Sequence, residues 1–79
     1  MYIVDVSKID NDVVKTKRYK FNDFESAGIF FETMQVEKAR FSAKVYRAHK
    51  MYDVAIINDD TRKIIKMARI QNGFIKELV

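Results

Sequence analysis

The first residues alternate. In "YIVDVS" (residues 2–7), Tyr2, Val4 and Val6 fall on one side and Ile3, Asp5 and Ser7 on the other. That two-residue period marks a strand with one buried face. "KIDND" (8–12) is turn chemistry, because Asp and Asn side chains bond their own backbone and tolerate left-handed conformations. A second strand over 13–21 is expected to return antiparallel, closing a hairpin. The period then changes. Asn22 reads as a helix N-cap, with Glu25 three residues on as a capping box wants, and Asp23 and Glu25 suit the positive end of the helix dipole. At 100° per residue, Phe24, Ala27, Phe31 and Met34 form one stripe with Phe30 at its edge, the face expected to pack on a sheet. The pattern predicts a helix end near Gln35–Glu37. Gly28 lies inside this helix, where Gly costs about 0.5–1 kcal/mol relative to Ala. A close approach to an aromatic ring or the sheet would explain it, and a partner pressing on the helix is the alternative.

Alternation resumes in "FSAKVYRAHK" (41–50), with Phe41, Ala43 and Val45 inward and Ser42, Lys44 and Tyr46 outward. "MYDVAIIN" is the next predicted strand, "NDDT" (58–61) a hairpin turn and "RKIIKMARI" the partner strand. Only "HKM" separates the third and fourth strands, so one long bent strand is an alternative. Asn72-Gly73 is a strong hairpin signal, and "FIKELV" reads as a short closing edge strand, with a frayed helical turn as the rival. The expected fold is a single α+β domain over residues 1–79, in the order β-β-α-β-β-β(-β). It has two layers, one amphipathic helix packed on one face of a mostly antiparallel sheet.

Size and composition narrow the function classes. A chain of 79 residues buries only about 60–65% of its unfolded surface, so binding a partner or a second copy is a natural supplement to its core. It has no cysteine, and His49 is its only histidine, too few ligands for a zinc site. His49 reads as a surface residue at a strand end. Ser7, Ser26 and Ser42 have no second element of a hydrolytic triad. With two glycines in all, no phosphate-binding loop can form. Asp59-Asp60 with Asn58, and Asp10-Asn11-Asp12, fall short of a calcium loop and read as turns. A non-catalytic protein without cofactor or metal is expected. No signal peptide is evident, and no run approaches the ~18 apolar residues that span a bilayer, so a cytoplasmic protein that does not enter membranes is the expectation. Abundant Ile, Lys, Asn, Phe and Tyr beside scarce Gly and no Pro suggest an AT-rich genome, such as a Gram-positive bacterium or its phage.

Charge is distributed by element. Residues 13–21 carry +4, 22–37 carry −4, 38–50 carry +5 and 62–69 carry +4, within a net charge of +4. If the helix covers one sheet face, the other is open. That face should then present Thr16, Arg18 and Lys20, with Lys44 and Tyr46 on the third strand and Arg62, Lys66 or Arg69 further on. Such a basic face with tyrosines could hold single-stranded nucleic acid, and Arg18, Lys20, Lys44, Tyr46 and Arg47 are its candidates. The plainer reading is a solvated face, since Lys also protects edge strands from aggregation. A second surface lies on the helix, where Ile29 and Val36 point away from the core stripe with Glu25 and Glu32 beside them. It would suit a protein partner or a homodimer. Docking on a protein partner is the leading expectation, as in a phage or mobile-element accessory protein modulating a host factor. Direct nucleic-acid binding through the open sheet face is the alternative.

Overall fold

The computed structural model describes residues 1–44 and 50–79. Its elements are β1 (Tyr2–Asp10), β2 (Val13–Phe21), α1 (Phe24–Lys44), β3 (Lys50–Asn58), β4 (Lys63–Gln71) and β5 (Phe74–Glu77). The five strands form one antiparallel sheet in the order β2-β1-β3-β4-β5, with α1 against one face. This is the expected two-layer α+β fold. Val4, Val6, Tyr52, Val54, Ile56, Ala68 and Ile70 meet Ala27 and Phe31 of the helix in the core.

Two hairpins turn on two residues each. Asn11 and Asp12 adopt φ of 53° and 60°, and Asn72 and Gly73 adopt 52° and 84°. Left-handed pairs of this kind match the twist of the flanking strands, and Asn, Asp and Gly enter them at least cost. The first turn is therefore shorter than 8–12, and β1 continues through Lys8 and Ile9 to Asp10. In the β3–β4 loop, Asn58 Oδ1 accepts hydrogen bonds from the amides of Asp60 and Thr61. Residues 74–77 form the expected closing strand, and the helical alternative is not adopted.

The helix corrects two expectations. It does not end near Gln35–Glu37 but runs 21 residues to Lys44. Residues 41–44 are thus its last turn rather than the start of a third strand, and the sheet has five strands among the described residues, with 45–49 of the expected strand lying outside them. "EKARFSAK" contains mostly good helix formers and no Gly or Pro to stop it. Alternation of Phe41 and Ala43 misled because it is too short to set a period of two against one of 3.6. Ser42, expected outward, is buried. Its hydroxyl lies 3.2 Å from the Ala39 carbonyl and accepts the Gly73 amide at 3.0 Å, tying the helix end to the β4–β5 turn. A Cβ on Gly73 would stand 3.0 Å from Ala43 Cβ, so this glycine serves both the turn and the close approach. The helix start also shifts by one residue: the Asp23 carbonyl accepts the Ala27 amide, which puts the cap at Asp23 rather than Asn22.

Gly28 is the other correction. A Cβ there would meet nothing within 4 Å, so close approach to a ring or the sheet does not account for it.

Candidate functional site

Strand pairing decides where the basic residues lie. β2 is an edge strand, and β1 separates it from β3. The described parts of the basic segments, 13–21, 38–44 and 62–69, therefore do not lie side by side on one sheet face. On the face away from the helix, Arg18 sits opposite Asp5, and Arg69 sits opposite Asp53. Both pairs close as two-pronged clamps, with Nε to Oδ1 at 2.9 Å and Nη2 to Oδ2 at 3.0 Å in each. The hydrogen bond to the carboxylate, and then its charge, raise each guanidinium's pKa. Two of the cations on this face are thus already neutralised. Ile3 and Ala55 alternate onto the same face and are buried. Tyr2, Tyr19 and Tyr52 pack on the helix side, so the face holds no tyrosine among the described residues.

The candidate residues are accordingly dispersed. Arg18 and Lys20 are exposed on the open face, Arg18 within its clamp. Lys44 lies in the last turn of α1, in the other layer, and not on a strand. Tyr46, Arg47 and His49 lie outside the described residues. Ile29 and Val36 are 62% and 48% exposed on the outer side of α1, where Glu25 and Glu32 are exposed as well.

A more concentrated basic site lies on the helix side. Residues of β1, β2, α1 and β3 enclose a cleft of about 490 Å³ there. Lys8, Lys15 and Lys17 rise from β1 and β2 and Lys38 from the helix, with one carboxylate, Glu37, among the lining residues. Register places Lys8 directly opposite Lys15, and Lys17 opposite Val6. Like charges directly opposite in a sheet destabilise it. None of the ion pairs among the described residues relieves these lysines, since those pairs use the N-terminus, Arg18, Arg62 and Arg69.

Tyr19, Tyr52, Met34 and Phe41 line the same cleft. Tyr52 is buried in its floor, where loss of solvation and then the charge of Asp10 raise the hydroxyl's pKa. Lys38 Nζ stands 5.2 Å from the Tyr52 ring centre and Lys50 Nζ 5.3 Å from that of Phe41, both within cation–π range. Phe41 contacts Tyr52 edge-on at 6.4 Å, yet remains 50% exposed.

Sequence reasoning missed Lys8, Lys15, Lys17, Lys38 and Phe41 as a group. The signal was present in the alternation, since Lys17 and Lys15 share the period of Tyr19 and Lys8 that of Val6. Reading it required the helix to reach Phe41 alongside them. Among the described residues, no cluster of His, Cys, Asp and Glu could hold a metal, and no helix is long and apolar enough to cross a membrane. No family model, curated protein or solved structure matches the chain.

Proposed function

We propose that this is a non-catalytic binding protein that holds a polyanionic partner in the cleft between α1 and the β1–β2 hairpin. The observation that carries this reading is the facing pair Lys8 and Lys15, with Lys17 and Lys38 in the same cleft and no ion-pair partner among the described residues. Cross-strand repulsion costs stability, and a bound anion removes that cost. The test is the affinity for a labelled polyphosphate chain at rising salt. Log K should fall linearly with log salt, and the slope should flatten by about 0.7–0.9 for each of Lys8→Gln, Lys15→Gln and Lys17→Gln that removes a phosphate contact. Affinity unchanged by all three substitutions would refute the site.

A second reading has its own observation. Ile29 and Val36 are exposed apolar residues on the outer face of α1, beside Glu25 and Glu32. This patch would dock a basic protein surface or a second copy of the chain. Light scattering of the wild type against an Ile29→Glu, Val36→Glu double variant tests the second copy: a mass halved by the substitutions supports it, and equal masses reject it.

A further inference from the structure

Phe41 is the half-exposed ring among the residues that line the cleft. Phe41 lines the lysine cleft on one side and, on the other, a groove along α1 that holds Lys38, Arg40 and Lys44 beside Glu32 and Glu37. Cations thus stand on both flanks of a half-exposed aromatic surface, and Lys50 lies against the ring itself. Half of the Phe41 surface remains in solvent, where a planar group can reach the ring.

From this arrangement, and resting on the polyanion reading above, we infer that the ligand is single-stranded nucleic acid crossing Phe41, with one base stacked on the ring. Its backbone follows Lys15, Lys17 and Lys38 on one side and Arg40 and Lys44 on the other. Two features favour a single strand over other polyanions. An unpaired base offers a π-face to Phe41, whereas the bases of a duplex are already stacked on each other. The strand rise of ~3.3 Å per residue spaces Lys15 and Lys17 by about 6.6 Å, a row suited to successive backbone charges. An acidic peptide would use the lysines but would gain nothing from the ring.

The test uses the whole protein and three labelled probes: an oligothymidylate of about 10 nucleotides, within the span of small single-strand sites, a duplex of the same length, and polyglutamate. Oligouridylate in a parallel arm separates RNA from DNA as the source. Phe41→Leu keeps apolar packing against Tyr52 and removes the stacking surface. It is expected to weaken oligothymidylate binding by about 5–150-fold, the cost of one lost base stack, and to leave duplex and polyglutamate affinities unchanged. Unfolding midpoints of wild type and variant, measured in parallel, must agree within a few degrees. If they do not, Phe41→Tyr, which keeps an aromatic face, must retain single-strand binding. Equal affinity for duplex and single strand, or no effect of Phe41→Leu, overturns the single-strand inference while leaving a polyanion cleft. Tighter binding of polyglutamate overturns it in favour of an acidic peptide. Failure of all the probes to bind at low salt overturns both the inference and the polyanion reading.

Discussion

At the scale of single residues, two positions connect local chemistry to measurable behaviour. Gly28 spends helix stability without a packing reason, because the space beside it is empty. Gly28→Ala should stabilise the protein by about 0.4–1 kcal/mol, read from chemical denaturation. A loss of stability would show that the site needs glycine for a contact the fold does not display. Tyr52 reports on the floor of the cleft. Its folded pKa lies above the ordinary value of 10.0, by burial first and Asp10 second. The folded state therefore holds this proton at pH values where the unfolded chain has released it. The resulting stabilisation is complete below about pH 10 and is lost as pH rises through the folded pKa. Tyr52→Phe should accordingly lose less thermal stability than the wild type between about pH 9 and pH 11. Parallel melting curves for the two proteins across that range would contradict the assignment.

At the scale of elements, alternation and turn chemistry made both halves of the sheet legible. Tyr2, Val4 and Val6 face the core as their period required, and Asn72-Gly73 turns where it should. The helix was legible in its start to within one residue and in its stripe except for Phe24, which is exposed, but not in its length. Ala27 and Phe31 are buried as expected, whereas over Phe41–Lys44 helix-forming residues are overlaid by an alternating pattern. What decides it is tertiary: Ser42 reaches the β4–β5 turn only if the helix continues, and a contact 31 residues away in sequence cannot be read from periodicity. This contact anchors the end of the helix. Ser42→Ala leaves the partly buried Gly73 amide without its acceptor and should cost about 1–3 kcal/mol of unfolding free energy. A cost near zero in urea denaturation would mean that the helix end is held by packing alone.

At the scale of the whole molecule, the charge layout looked like one basic sheet face and is instead two different surfaces. The face away from the helix closes its arginines onto Asp5 and Asp53, pairings that depend on strand order and register. The helix side leaves its lysines facing each other around Tyr52 and Phe41. Counting charge by segment found the excess but could not place it, because alternate residues of β2 go to opposite faces: Arg18 and Lys20 to one, Lys15 and Lys17 to the other. In the proposed function the fold accepts repulsion between Lys8 and Lys15 in order to bind an anion. Lys15→Glu tests this most directly, since it replaces a like pair with an opposite pair. The prediction is a folded state more stable by about 0.2–1 kcal/mol, a rise in melting temperature of about 1–8 °C for a domain of this size, and polyphosphate affinity reduced at least about tenfold at low salt. A variant that binds polyphosphate as tightly as the wild type, or a wild type that does not bind it, would contradict the account.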